Sequence, residues 1–216
     1  MMEFEYPVGA TPLDPDESAG LRLTHVTTRS ELDRWEQDNI VKALAWLDRT
    51  RPKDILNEQF IKKFHRRMFG HVWRWAGHFR RTDKNIGGPW HQIPMNLKNL
   101  CDDARMWMEL HEEAPDELAV RFHHRLVSIH PFPNGNGRHA RLMTDLLLEN
   151  ILKRPRFTWG SEDLSRVGNA RHRYITPQER PREISSAVSW KGETEERESA
   201  EMKSVRLKPA ISAALL

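Results

Sequence analysis

The stretch HPFPNGNGRHAR, residues 130–141, sets a histidine before a Pro-Phe pair and follows it with a Gly-Asn-Gly bend and two arginines. It resembles core packing less than any other segment of the chain. Upstream of it Leu118, Ala119, Phe122, Leu126 and Ile129 recur at helical spacing after Pro115, a residue suited to a first helical turn. Downstream, RHARLMTDLLLENILK, residues 138–153, is apolar on most sides, as a helix at the centre of a bundle would be. A bend between two helices of this kind points to an all-α fold with a site at the junction.

The bend itself carries chemistry. Gly135, Asn136 and Gly137 can turn successive backbone N–H groups toward one point directly before a helix N-terminus, which is an anion-binding arrangement. Arg138 and Arg141 are three apart, project from one side of that helix and add two permanent positive charges. The implied guest is a polyphosphate. GxxxxGK[ST] is absent and no GxGxxG follows a strand, so the phosphates are not held by a P-loop or a dinucleotide fold. His130, with a reference pKa of ~6.5, can accept a proton near neutral pH. A proton acceptor beside an anion cradle suggests group transfer to a hydroxyl, and Phe132 reads as the buried anchor that pins the loop.

Outward from this centre the chain is helical. Ser30 is the expected cap of a helix with Leu32, Trp35, Ile40, Ala43, Leu44 and Leu47 inward. Asp54 is expected to open the next, with Ile55, Phe60, Ile61, Phe64 and Met68 inward and Gly70 as a left-handed C-cap. Residues 71–94 have no helical period, and Gly87-Gly88-Pro89 forbids one, so a small β-hairpin is expected there. Leu97, Leu100, Cys101, Ala104, Trp107 and Met108 make a further amphipathic helix, and Ser161 starts a last one running to about Tyr174. Three regions follow: an extended arm over 1–25, a catalytic domain over 26–175, and a poorly ordered tail over 176–216, where charge, Ser and Pro replace any period.

Composition bounds the rest. Lys and Arg outnumber Asp and Glu by 34 to 31, spread along the chain, so bulk charge gives no argument for a polyanionic partner such as nucleic acid. One cysteine, Cys101, excludes an internal disulfide and reads as a small buried apolar residue. There is neither a secretory leader pattern at the start nor an apolar run of membrane-spanning length, so a cytoplasmic location is expected. The histidines outside the motif, among them His65, His71, His78, His91, His123 and His124, show no HExxH or Cys/His spacing that would hold zinc.

The motif resembles the Fic (Fic/Doc) signature HxFx(D/E)GNGRxxR at every position but one, Asn134. The resemblance runs from about Thr11 to Tyr174, through RWAGHFRRTDKNIG, HHRLVSIHPFPNGNGRHARLMTDLLL and FTWG, and is similar to the branch called mobile mystery protein B. It implies a Fic-like helical bundle with a β-hairpin flap, whose members transfer part of a nucleotide, usually AMP from ATP, to a hydroxyl of a target protein. Many are toxins held in check by an antitoxin. By the same resemblance His130 matches the general base, and Gly135, Asn136 and Gly137 match the anion cradle, with Asn136 reaching the α-phosphate. Arg138 and Arg141 match contacts to the outer phosphates. Asn134 stands where the family has the carboxylate that ligates Mg²⁺; an amide oxygen can coordinate but brings no charge. Thr82–Pro94, with Lys84, Asn85 and Ile86, matches the flap that docks the target segment. The alternatives are a weakly catalytic nucleotide-binding regulatory or toxin-antitoxin module, or a protein phosphotransferase.

Glu36 is four residues from both Leu32 and Ile40 and so faces inward with them. A buried carboxylate needs a partner. Similar proteins carry an inhibitory (S/T)xxxE(G/N) helix whose glutamate pairs with the second motif arginine. That pattern is not met around Glu36, so two readings stand: an inhibitory pair between Glu36 and Arg141, or a structural ion pair within the bundle.

Overall fold

The computed structural model describes residues 14–110 and 114–159. The expected helix from Ser161 to Tyr174, the tail over 176–216 and the first thirteen residues of the arm lie outside them. The described chain is helical: α1 (Pro15–Ser18), α2 (Arg29–Thr50), α3 (Glu58–Phe69), α4 (Ile93–Leu110), α5 (Pro115–Ile129) and α6 (Asn136–Leu146). Helices α2 and α3 pack on each other, α4 and α5 do the same, and α6 lies against both α3 and α5.

The centre of the bundle is α6, as its pattern requires. Ala140, Leu142, Met143, Leu146, Leu147 and Leu148 are all buried. The α-helix stops at Leu146, however, and the chain continues through a π-helical turn over Leu147–Leu152, so the expected single helix to residue 153 has two parts. Lys153 ends it in a left-handed conformation (φ 56°).

Local chemistry sets the helix ends. Thr28, not Ser30, caps α2: its hydroxyl accepts from the Glu31 N–H while the Glu31 carboxylate reaches back to the Thr28 N–H at 3.1 Å. This reciprocal arrangement satisfies two otherwise unpaired donors. Asn57 rather than Asp54 caps α3, accepting from the Phe60 N–H at 2.7 Å. Gly70 ends α3 in an ordinary right-handed conformation (φ −70°), not the left-handed one its residue type suggested. Trp35, expected inside, is 41% exposed and meets His25 edge-on.

Asn39, buried on α2, braces α3 from outside. Its Nδ2 donates to the Arg67 carbonyl and its Oδ1 accepts from the His71 N–H, both at 2.9 Å. One amide thus satisfies two backbone groups at a helix end that has no further turn to serve them.

Over residues 20–22 the arm runs antiparallel to 72–74, with Arg22 N–H on the Val72 carbonyl and Arg74 N–H on the Gly20 carbonyl, both at 2.8 Å. One expectation is corrected here: no β-hairpin flap exists among the described residues. Residues 82–89 form an irregular loop that leads through one 3-10 turn, Trp90–Gln92, directly into α4. The glycines that broke the helical period do so without creating a paired strand, because the loop's polar backbone is satisfied by side chains instead.

Asn39→Ala should lower the unfolding free energy by about 1–2 kcal/mol, since it removes the partner of two part-buried backbone groups. Urea denaturation measures this, and an unchanged midpoint would rule out the brace.

Candidate active site

The motif loop is built on a carboxyl-terminal cap. His130 ends α5 in the left-handed region (φ 51°, ψ 60°), and its N–H donates to the Leu126 carbonyl at 3.3 Å. Pro131 follows and cannot continue the helix. Phe132 is fully buried. The Asn136 side chain pairs with both backbone groups of Phe132, accepting from its N–H at 2.9 Å and donating to its carbonyl at 2.8 Å. The loop is thereby closed on itself before α6 begins. This differs from the role the resemblance gives Asn136: its amide is turned inward and engaged at both ends.

Gly135 is the N-cap of α6 with φ 77°, a region that non-glycine side chains avoid. A Cβ there would sit 2.7 Å from the Phe69 ring. No side chain caps α6 at Gly135, and a Cβ on Gly137 would meet nothing within 4 Å, so the helix is open beside Gly137. A helix N-terminus of this kind can take an anion. The residues present fit a polyphosphate.

They do not furnish a metal centre by themselves. The Asn134 Oδ1 accepts from the Gly135 N–H at 2.7 Å, so the amide oxygen is held within its own turn. Among the described residues no group of three or more His, Cys, Asp or Glu side chains could hold a metal ion.

The two arginines divide. Arg138, over the Phe69 ring at 4.8 Å, donates from Nη1 to Glu36 Oε2 at 2.6 Å. Glu36 is buried and its other oxygen accepts from the indole N–H of Trp73. The inward carboxylate therefore has the expected kind of partner, but it is the first motif arginine and not Arg141. Helical geometry explains the correction: Arg138 lies in the first turn of α6, facing the Phe69 end of α3 against which α2 packs.

The flap candidates are also redistributed. The Lys84 side chain is only 4% exposed and its Nζ lies 2.6 Å from Glu17 Oε2 and 2.9 Å from Asp14 Oδ2. The Thr82 hydroxyl and the Lys84 ammonium beside Asp14 hold its carboxyl below the usual range. Lys84 thus ties the loop to α1, while Asn85 remains exposed and Ile86 is half-buried.

Two residues important to this site had not been singled out. His65, on the inward face of α3, accepts the Gly77 N–H at Nδ1 (3.0 Å), which leaves Nε2 as the protonated nitrogen donating to the Asn134 carbonyl at 3.1 Å. Its ring stacks on Phe132 with centroids 3.7 Å apart. It follows Ile61 by four residues, so the test that exposed Glu36 would have found it. Arg80, 1% exposed, donates from Nε to the His130 carbonyl at 2.7 Å. No periodicity marks that position.

The histidines are held neutral. Burial first, then the positive charge of Arg80 and, more weakly, Lys84, push His130 down to about 4, against a partial rise from a hydrogen bond to the Val127 backbone. Burial likewise pushes His139 to about 3 and, together with Arg141 and His124, His123 to about 3. Burial, with His139 and Arg138 nearby, lowers His65 well below 6.5.

With this geometry in view, a sequence profile of the Fic/DOC family matches residues 55–148. Over that stretch the chain is similar to the Fic/DOC family. It is 35% identical over 99 residues to the "Protein adenylyltransferase Fic" of Aedes aegypti, covering 44% of this chain and 20% of that protein. It is 37% identical over 100 residues to the protein of the same name from Drosophila melanogaster, covering 44% and 19%. The chain thus spans about a fifth of the length of the curated relatives it matches. In fold it is similar to the N-terminal Fic domain of a Bartonella effector protein from Bartonella sp. AR 15-3, with a TM-score of 0.59 and 20% identity over 82% of this chain and 84% of that one. The N-terminal Fic domain of Bep8 from Bartonella sp. 1-1C gives 0.55 and 18% over 66% and 76%.

The histidines make a prediction about acid. Each of these four has a folded pKa below its unfolded value near 6.5, so the stability present at neutral pH is lost as pH falls from that value toward the folded pKa. The unfolded chain binds the protons, at about 1.4 kcal/mol per histidine per pH unit. Circular dichroism should show a cooperative acid transition between about pH 6 and pH 4. Stability that stays flat across that window would refute the neutral cluster.

Proposed function

We propose that the chain is a protein adenylyltransferase that moves AMP from ATP to a Ser, Thr or Tyr hydroxyl of another protein. The observation that carries this reading is a neutral His130 at the mouth of a glycine bend whose following helix lacks a side-chain cap. The neutral imidazole takes the proton of the hydroxyl. The oxygen then bonds to the α-phosphorus, the bond from that phosphorus to the bridging oxygen breaks, and pyrophosphate leaves. The first turn of α6, with Gly135, Gly137 and Arg138, binds and orients the phosphates, and Arg141 one turn on adds charge. Asn136 serves by fixing the loop rather than by reaching the α-phosphate.

The relatives named as adenylyltransferases support the reaction class, and a neighbour of similar fold, BepC from Bartonella tribocorum, was solved with bound AMPPNP (TM-score 0.50, 20% identity). The RWAGHFRRTDKNIG and FTWG contexts support a place in the mobile mystery protein B branch. Mg²⁺ would arrive on the nucleotide's phosphates, since Asn134 brings no charge. Asn85 and Ile86, at the exposed part of the loop, are the docking residues for the target segment, with Lys84 as their internal tether. No helix among the described residues is long and apolar enough to cross a membrane, in keeping with a cytoplasmic target.

A second reading, a nucleotide-binding regulatory or toxin-antitoxin module with little turnover, is favoured by one observation: Glu36 already occupies Arg138. On that view Glu36 acts as a brake.

A lysate incubated with α-labelled and with γ-labelled ATP separates the readings. Wild-type protein should place α-label on protein, and His130→Ala should reduce this by roughly 100-fold or more. Label from the γ position would mean phosphoryl transfer, and binding without label the module. For the brake, Glu36→Gln keeps an acceptor for Trp73 but removes the negative charge that pairs with Arg138. It should lower stability by about 2 kcal/mol while raising ATP affinity several-fold. Lost stability with unchanged affinity would make the pair a brace only.

A further inference from the structure

We propose that Arg80 is a positioning residue that locks the backbone of His130 and the 82–88 loop into one body. Its meaning for catalysis rests on the proposed function: the proton acceptor and the surface that receives the hydroxyl would be registered to each other by one side chain.

Arg80 holds both carbonyls around the peptide bond between residues 130 and 131. Its main-chain N–H donates to the Pro131 carbonyl at 3.0 Å, and its Nε donates to the His130 carbonyl at 2.7 Å. The remaining arms of the guanidinium go to the loop, Nη1 to the Thr82 carbonyl at 2.7 Å and Nη2 to the Gly88 carbonyl. A buried arginine ordinarily meets a carboxylate. Here three carbonyls take the donors, and the nearest carboxylate, that of Asp83, stands 3.6 Å from Nη1 and is largely exposed. The planar fork suits this task, because its donors point in fixed directions that a flexible ammonium cannot reproduce.

The conformation it holds needs holding. A left-handed histidine costs about 1–2 kcal/mol and persists only where its surroundings enforce it. The loop also lies directly on that residue: a Cβ on Gly87 (φ 104°) would come within 2.8 Å of both Arg80 Nη2 and the His130 Cβ. Displacing the loop therefore displaces the histidine's nearest neighbour. The charged groups bearing on the imidazole are Arg80 and Lys84, both cations carried by this segment, while α5 contributes the Val127 backbone. Both cations favour the neutral, proton-accepting ring.

The test uses the full chain without nucleotide, reading the His130 imidazole titration by NMR and amide exchange over residues 82–88. Arg80→Gln removes the charge and most of the fork. It should raise the His130 midpoint by roughly one pH unit and speed loop exchange at least tenfold. Arg80→Lys keeps the charge, so the midpoint should stay near that of wild type while the loop still loosens. In the transfer assay both should reduce kcat with little change in the KM for ATP, because Arg80 makes no contact with the phosphate cradle. A folded Arg80→Gln protein with unchanged titration and unchanged loop exchange overturns the proposal. If neither Arg80 variant folds, Gly87→Ala decides, since its Cβ presses on Arg80 Nη2 and the His130 Cβ while keeping the guanidinium: a His130 titration that shifts together with loop exchange supports the lock, and an unchanged titration overturns it. Wild-type protein that transfers nothing, while titration and exchange respond as stated, refutes the enzymatic reading alone.

Discussion

One neutral imidazole joins the parts that would otherwise be separate. His65 takes a backbone N–H at one nitrogen and gives its proton to the Asn134 carbonyl at the other, so its tautomer is fixed by its partners. Its face stacks on Phe132 and its edge meets His139. The Gly77 turn, the motif loop and the start of α6 therefore share a single ring. Such a ring must stay uncharged, because a proton on Nδ1 would oppose the Gly77 N–H at a fully buried position. Acid sensitivity and site geometry have the same origin.

Around this apolar hub lie three charged groups taken out of solvent, each compensated differently. Arg138 meets the Glu36 carboxylate, which the Trp73 indole also holds. Lys84 sits between two carboxylates of the N-terminal segment. Arg80 is served by carbonyls. Desolvated charges of this kind add little net stability but specify geometry, since removing either member of a pair leaves the other stranded. Arg138 ties α2 to the motif, Arg80 ties the 82–88 loop to it, and Lys84 ties α1 to that loop. The bundle's apolar core positions α5 and α6, and these polar ties position what surrounds the bend.

The sequence made some of this readable from local rules. The Pro115 start of α5, the central burial of α6, the buried Phe132 anchor and the uncapped glycine bend all follow from spacing and residue chemistry. Glu36 was placed inside by its period alone. The same period applied to His65 would have found the hub. Where local rules failed, a competing local interaction won: Thr28 offered α2 a better cap than Ser30, and Asn57 displaced Asp54. The hairpin expected over residues 82–94 failed for another reason, as the nearby Arg80 and Asp83 side chains supplied partners to the loop backbone that a second strand would have given.

The sequence by itself determined an all-α bundle, a glycine bend ahead of a helix and a histidine at its entrance, because these rest on periods and turn chemistry spanning a few residues. Tertiary structure decided the pairings. Which arginine Glu36 meets and that Arg80 grips His130 depend on contacts across 50 to about 100 residues. Such contacts are set by how helices stack, and no local pattern encodes which side chains that stacking brings within reach.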